Sequence, residues 1–217
     1  MSHVTLVRHG QANTHAKDEI NYDRLSALGK QQARWLGAHM RGSGEVFARA
    51  YSGTLRRHQE TAAEMELGLE VVEDARLNEL EYFTMAQLMQ QQHGIALPPD
   101  REGFILHLPQ LFTYWREGRL EGAPESFADF EARVDDVLAE ISAGSGRAVV
   151  VTSGGLIGMA MRVTMGLEMK ALAHACLAIE NTSVHRFQPI STGLCLTLFN
   201  AVPHLEGAER ALSRTHI

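Results

Sequence analysis

A run of β-branched residues in the second half of the chain limits the possible folds more than any other feature. It extends from Arg147 to Thr152 and continues directly into Ser153-Gly154-Gly155. A nearly continuous apolar run of this length, without alternating polar residues, is typical of a central strand buried on both faces. Such strands occur in parallel sheets that helices cover, so the run predicts an α/β protein.

The rest of the chain alternates between strand and helix patterns. Further strands are predicted at residues 3–8, 46–52, 69–77, 184–188 and 194–199, and helices at residues 26–40, 54–67, 125–141 and 156–165. Strands separated by helices favour a mainly parallel sheet, and the last two strands form a hairpin or a sheet edge. The predicted fold class is therefore α/β, a three-layer sandwich with helices on both faces of a mainly parallel sheet.

Residues 84–120 interrupt this alternation. Residues 87–92 have a helical, glutamine-rich pattern, residues 97–99 end it, and residues 104–115 form a second amphipathic helix. We expect a helical cap insertion over the carboxyl ends of the strands, within a single domain of residues 1–217. The alternatives are a surface insertion without function and, less favoured by the length, a second domain.

Composition excludes several classes of protein. The formal charge of −6 argues against a general nucleic-acid binder, and the apolar fraction of 45% is that of an ordinary globular protein. Cys176 and Cys195 lie in apolar runs, which predicts buried thiols in a reducing compartment rather than a disulfide framework. With no secretory leader and no apolar run of about 18 residues, we expect a cytoplasmic protein without a membrane partner. No CxxC or HExxH spacing occurs, so no metal is expected.

The first predicted strand ends in Arg8-His9-Gly10, at the point where open α/β sheets bind ligands. A neutral imidazole is a competent nucleophile toward a phosphoryl group, and a phosphohistidine divides one difficult displacement into two easier steps. The neighbouring glycine lets a tetrahedral anion approach the backbone. By itself, however, the tripeptide fits a structural or surface histidine equally well.

Three later segments strengthen this interpretation: residues 51–62, Glu79 and residues 149–155. Together with Arg8-His9-Gly10 they resemble the histidine phosphatase superfamily, the phosphoglycerate-mutase-like proteins. The resemblance extends over residues 3–206 and is weakest in the expected cap. It implies that His9 becomes phosphorylated, that Arg8 and Arg57 bind the phosphoryl oxygens, and that Glu79 protonates the leaving alcohol and later activates water.

For two of these roles, a nearby residue of the same type is an alternative. The family places its second arginine four residues before a Thr-Ala pair, here residues 61–62, which selects Arg57 over Arg56. Glu79 matches the family position that follows the third strand, and Glu81 is the alternative. Without the resemblance, a solvated side chain would be the simpler interpretation of each.

The chain departs from the family pattern at Ser153, where most members carry a second histidine that helps to hold the transferring phosphoryl group. A serine hydroxyl donates one hydrogen bond and carries no charge. Loss of such a donor costs roughly 2.7–4 kcal/mol in other enzymes, so reduced activity is expected. The alternative is an imidazole from elsewhere, such as His58, His185 or His204.

Three further residues are candidates for substrate contact. Gln11 and Asn13 follow the tripeptide in a polar loop, and Gly154 follows the central strand. Specificity is expected to depend on the cap, where several side chains can face either substrate or solvent: Gln87, Gln91, His93, Tyr114, Trp115 and Arg116.

The expected activity is hydrolysis of a small phosphomonoester through a phosphohistidine, without metal or organic cofactor, because arginines take the place of a cation. One alternative is a phosphoglycerate-mutase-type phosphotransferase. Another is a weakly active or inactive module that binds a phosphorylated ligand or another protein. The presence of both His9 and Glu79 argues against the inactive module, because a pure binder has little need for an acid at the leaving group.

Overall fold

The computed structural model describes residues 3–216 and contains a six-stranded sheet between two layers of helices. Its strands are β1 (Val4–Arg8), β2 (Arg49–Ser52), β3 (Val71–Glu73), β4 (Ala148–Thr152), β5 (Val184–Ile190) and β6 (Gly193–Ala201). They lie in the order β3-β2-β4-β1-β5-β6, and the first four of these are mutually parallel. Strand β5 is antiparallel to β1, and β6 is antiparallel to β5. The predicted α/β class and mainly parallel sheet are confirmed.

The β-branched run forms the centre of the sheet. Strand β4 lies between β1 and β2, with Thr152 opposite Arg8 and Val151 opposite Ser52. The carboxyl ends of these three parallel strands therefore lie side by side, and we call this the carboxyl edge. The residues that follow each strand are brought together there, although they are far apart in the sequence.

The helices that surround the sheet are α1 (Glu19–Tyr22), α2 (Ala27–Gly42), α3 (Arg56–Met65), α4 (Tyr82–His93), α5 (Arg101–Arg116), α6 (Phe127–Ala143), α7 (Gly154–Met165) and α8 (Met169–Ala178). The side chain of Ser26 caps α2 by accepting from the backbone N–H of Gly29, as its sequence position predicted. Helices α1 and α8 lie in segments for which no helix was predicted. None of the helices within residues 3–216 is long and apolar enough to cross a membrane.

Alternate residues of β4 belong to two different hydrophobic cores. Val149 and Val151 join a cluster that includes Leu36 of α2 and Met65 of α3. Val150, between them, joins the larger cluster under α4 to α8. Burial on both faces explains why this strand carries no alternating polar residues.

The third strand is shorter than predicted. It covers Val71–Glu73, and the chain then turns into a 3₁₀ helix at Ala75–Leu77, whose N-cap Asp74 accepts from the backbone N–H of Arg76. Leu77 is fully buried at the end of this turn. The turn therefore anchors the segment that leads to Glu79.

Helices α4 and α5 and the loop between them form most of the segment in which the cap was expected. Leu108, Leu111, Phe112 and Trp115 on α5 are buried in the larger core. The segment is thus packed onto the sheet domain by one helix face.

Candidate active site

A cavity of about 950 Å³ opens at the carboxyl edge. Four parallel strands each contribute a lining residue from the segment that follows: His9 after β1, Arg57 after β2, Glu79 after β3 and Gly154 after β4. This is the edge at which open parallel sheets bind ligands. Strand topology therefore brings together residues that the sequence resemblance had selected separately.

His9 is held as a neutral imidazole. Its ring is only 2% exposed, and its Nδ1 lies 2.7 Å from the carbonyl oxygen of Gly10. Because a carbonyl oxygen only accepts, Nδ1 carries the proton and Nε2 keeps a lone pair. Burial, and then the charges of Arg57 and Arg8, hold the pKa of His9 well below its usual value. The arrangement leaves a basic nitrogen that can attack an electrophile.

Two buried arginines flank this imidazole. Arg8 donates to the carbonyl oxygen of Ile179 at 2.5 Å, and Arg57 donates to Oδ1 of Asp23 at 3.1 Å. The Nε atom of each arginine has no hydrogen-bond partner within residues 3–216. Two buried cations with so few partners make this end of the cavity attractive to a phosphate or another oxyanion.

Arg56, the competitor of Arg57, points away from the cavity. Its side chain is 65% exposed and forms an ion pair with Glu60 one helical turn later. Arg57 also stacks over Tyr22, with its guanidinium carbon 5.2 Å from the ring centroid. The structure therefore brings Arg57, but not Arg56, to the cavity.

Glu79 lines the cavity and is fixed by two backbone hydrogen bonds. Its Oε2 accepts from the N–H of Gly155 at 2.8 Å, and its Oε1 accepts from the N–H of Leu80 at 3.0 Å. A Cβ atom at Gly155 would lie 2.3 Å from Oε1, so only glycine allows this close approach. Glu81, the competitor, is exposed, and its carboxylate accepts from the hydroxyl of Thr84.

Ser153 is fully buried and does not line the cavity. Its Oγ lies 2.6 Å from Nε2 of His58, a residue that sequence analysis named only as one of several alternative imidazoles. Gly154, the next residue, does line the cavity and begins α7. Its backbone lies at a helix N-terminus, where anions are stabilised.

The two candidates in the polar loop are placed differently. Gln11 lines the cavity, and its Oε1 accepts from the hydroxyl of Ser26. Asn13 does not line it, and its amide donates to the carbonyl oxygen of Asn21. The structure therefore brings Gln11 but not Asn13 to a position of possible substrate contact.

Six residues of the expected cap that can face either substrate or solvent do not line the cavity: Gln87, Gln91, His93, Tyr114, Trp115 and Arg116. Trp115, for example, is buried and donates to the carbonyl oxygen of Glu125. Other residues of this part of the chain form one side of the cavity, and we call them the apolar wall: Tyr82, Phe83, Leu97, Pro98, Pro99, Phe104, Leu108 and Phe112. This side of the cavity is therefore mainly apolar, whereas most of the side chains considered from the sequence are polar or charged.

Several supporting residues were also missed. Asp23 accepts from both the backbone and the guanidinium of Arg57, and Thr61 accepts from the N–H of Gly10 at 3.0 Å. Asn181 donates to the carbonyl oxygen of His9. Thr61 belongs to the Thr-Ala pair that locates Arg57 in the sequence, whereas nothing local marks Asp23, which lies 34 residues from Arg57.

Glu19 is a second carboxyl group in the cavity. It lies on the short helix α1, and its Oε1 accepts from the N–H of Phe83 at 2.8 Å. Burial is the main reason that the pKa of Glu19 is raised above its usual value. No motif marks this residue, and only the fold places it beside the other lining groups.

Comparisons with known proteins show the family to which the chain belongs. The sequence profile of the histidine phosphatase superfamily (branch 1) matches residues 4–202. A curated relative, the probable phosphoglycerate mutase GpmB of Klebsiella pneumoniae, is 30% identical over 200 residues, which cover 86% of this chain and 84% of that protein.

Solved structures share the fold at lower identity. A phosphoserine phosphatase from Entamoeba histolytica is 20% identical, with a TM-score of 0.68 over 94% of this chain and 100% of the other. A phosphoglycerate mutase from Bacillus anthracis is 19% identical, with a TM-score of 0.67 over 94% of each chain. The profile match covers nearly the whole length that carries the sheet and its edge residues, and the chain belongs to the histidine phosphatase superfamily (branch 1).

Proposed function

We propose that this protein hydrolyses phosphomonoesters through a covalent phosphate on His9. The observation that carries the proposal is the neutral, buried imidazole whose Nδ1–H is bonded to the carbonyl oxygen of Gly10, next to two buried arginines. A nucleophile with a fixed tautomer beside fixed positive charge is what phosphoryl transfer requires, because the reaction is catalysed mainly by positioning and electrostatics.

In the first step, Nε2 of His9 attacks phosphorus and the bond from phosphorus to the ester oxygen breaks. The carboxyl group of Glu79 gives its proton to the departing alcohol. Arg8, Arg57 and the backbone N–H of Gly154 stabilise the phosphoryl oxygens. In the second step, water attacks the phosphohistidine, Glu79 accepts a proton from that water, and inorganic phosphate leaves.

The apolar wall supports hydrolysis of a substrate with an apolar group. Among the cavity-lining side chains that the structure describes between residues 82 and 112, Asp100 is the one charged group, and an acid repels a second anionic group. A phosphoglycerate carries a carboxylate beside its phosphate, which this surface does not favour. We infer that segment 82–116 acts as a cap that receives the apolar part of the alcohol.

A mutase is the second candidate, because Lys17 and Arg214 also line the cavity. Either cation can attract a carboxylate. Arg214 is already paired with Glu180 at 2.5 Å, so Lys17 is the stronger of the two. Family membership and the named relatives are compatible with both activities.

The test is a brief incubation with a ³²P-labelled aryl phosphate. We expect a base-stable, acid-labile label on His9, absent from His9→Ala and retained in His15→Ala, a control histidine that also lines the cavity. A label on another residue, or unchanged turnover in His9→Ala, contradicts the proposal. Chasing the phosphoenzyme with 3-phosphoglycerate separates the candidates: a hydrolase releases inorganic phosphate, and a mutase transfers the label.

A further inference from the structure

Three side chains follow the three central strands in spatial order: His58 after β2, Ser153 after β4 and His9 after β1. Arg8 is the register partner of Thr152, and the N–H of His9 donates to the carbonyl oxygen of Thr152 at 2.8 Å. The next residues of the two strands, His9 and Ser153, are therefore neighbours. Register partners in adjacent parallel strands direct their side chains to the same face.

His58 and Ser153 form a fully buried pair that the proposed reaction does not yet use. Nε2 of His58 lies 2.6 Å from Oγ of Ser153, and neither residue is exposed. The rings of His58 and His9 have centroids 5.7 Å apart. Ser153 is the N-cap of α7, yet its hydroxyl makes no capping bond. The serine hydroxyl is thus engaged by the imidazole instead of by its own helix.

The position of the proton on His58 follows from its surroundings. Burial, and then the charge of Arg57, keep the pKa of His58 well below its usual value, so the ring is neutral and has one N–H. Nδ1 has no hydrogen-bond partner within residues 3–216. Because buried N–H groups without an acceptor are rarer than acceptors without a donor, the proton belongs on Nε2, where it is donated to Ser153.

We propose that His58 is a positioning residue that donates from Nε2 to Oγ of Ser153 and so directs the serine hydroxyl proton to a phosphoryl group on His9. The inference rests on the proposed phosphohistidine function. A free serine hydroxyl rotates among several directions, whereas one that already accepts from an imidazole has its donor direction restricted. Ser153 does not itself line the cavity, so this one uncharged donor serves only a phosphoryl group that is bonded to the neighbouring His9.

Four variants test the pair: His58→Leu, His58→Gln, Ser153→Ala and the double variant His58→Leu/Ser153→Ala. Glutamine keeps an N–H donor at about the reach of Nε2, and leucine removes it. The measurements are the single-turnover rate of His9 phosphorylation by p-nitrophenyl phosphate, KM, and inhibition by orthovanadate. The matched control is His185→Leu, because His185 forms another buried pair, with Ser183 at 2.9 Å, on the strand opposite Leu6.

We expect His58→Leu and Ser153→Ala each to slow phosphorylation about 10- to 100-fold and to weaken vanadate inhibition, with little change in KM, since loss of one transition-state donor costs about 100- to 1,000-fold at most. The double variant should be no slower than the slower single variant, because both remove the same donor. His58→Gln should stay within about threefold of the unaltered protein, and His185→Leu should lower the melting temperature without this kinetic pattern.

The inference is overturned if folded His58→Leu is phosphorylated at the original rate, if the two single losses multiply in the double variant, or if His58→Gln is as slow as Ser153→Ala. If His58→Leu does not fold, the comparison of His58→Gln with Ser153→Ala decides. Absence of phosphoenzyme in the unaltered protein overturns the proposed function together with this inference. Normal phosphorylation that is insensitive to His58 overturns the inference alone.

Discussion

The two sides of the cavity are constructed by different means. At the carboxyl edge, strand register and buried hydrogen bonds fix each polar side chain, as in the bonds that Glu79 accepts from Gly155 and Leu80. The apolar wall consists of side chains from two helices and a loop, and packing alone positions most of them. The difference teaches that the groups proposed for chemistry lie in or directly after elements that strand pairing fixes, whereas the groups proposed for selection lie on helices and a loop that pack onto the sheet domain.

After loss of the nucleophile itself, the largest expected effect at the carboxyl edge is that of Glu79→Gln. Turnover of alkyl phosphates should fall about 100- to 10,000-fold, the usual contribution of a positioned acid. The loss should be much smaller for p-nitrophenyl phosphate, because its leaving group departs without a proton. Steady-state kinetics on both esters measure the difference.

Glu81→Gln is the matched control, since Glu81 is exposed and outside the cavity, and it should leave both rates unchanged. Equal losses on the two esters in Glu79→Gln would show that the carboxylate supports binding or folding rather than proton transfer.

A smaller and more selective effect is expected at the apolar wall. Phe104→Ala should lower kcat/KM about 5- to 20-fold for phosphate esters of apolar alcohols, in the range by which apolar pockets discriminate. It should leave hydrolysis of phosphoserine nearly unchanged. Comparison of kcat/KM across a panel of esters measures this selectivity.

Leu106→Ala provides the control on the same helix, because Leu106 is 74% exposed and does not line the cavity. If both variants change kcat/KM across the panel in the same way, or if Phe104→Ala lowers kcat/KM equally for every ester, the apolar wall does not select the substrate.

The smallest effect is expected at Glu19, which connects the two sides through its bond to the N–H of Phe83. Burial raises the pKa of Glu19 above its ordinary value of 4.5, so ionising it in the folded protein costs stability that the unfolded chain does not lose. Glu19→Gln should therefore raise the melting temperature at pH 7 by no more than about 2–4 °C, the shift that about 1 kcal/mol produces in a domain of this size.

The size of this effect depends on acidity. As the pH falls through the raised pKa, Glu19 becomes neutral first in the folded protein, and below 4.5 also in the unfolded chain, so the advantage of glutamine should shrink towards pH 4.5 and disappear below it. Thermal unfolding of both proteins at pH 7 and pH 4.5 measures it. A difference that is independent of pH would mean that burial does not penalise this carboxylate.

Much of the fold and of the carboxyl edge could be predicted because the sequence patterns that indicate them are local. The apolar run that became β4 and the tripeptide after β1 each lie within a few consecutive residues, and parallel pairing then brings their ends together. The proposed roles of these residues stay predictions. The partner of Ser153 was not predictable in the same way, because His58 lies 95 residues away and follows the neighbouring strand β2.

The apolar wall shows a different limit to prediction from sequence. An amphipathic pattern identifies the apolar face of α5, but it does not distinguish residues that pack into a core from residues that line a cavity. Leu108 and Phe112 do both. Trp115 on the same helix is buried in the core and does not line the cavity.

The pairing of β1 with β4 has a consequence for how the chain reaches its active form. It joins Val4 to Ala148, so nearly two thirds of the chain must be closed into a loop before His9 meets Ser153. Contacts of such large sequence separation form slowly, because loop closure is opposed by chain entropy before any contact compensates for it. Helices can form much earlier, from local contacts alone. During refolding, recovery of activity should thus report the completion of the central sheet, and it should lag behind recovery of the helical circular dichroism signal.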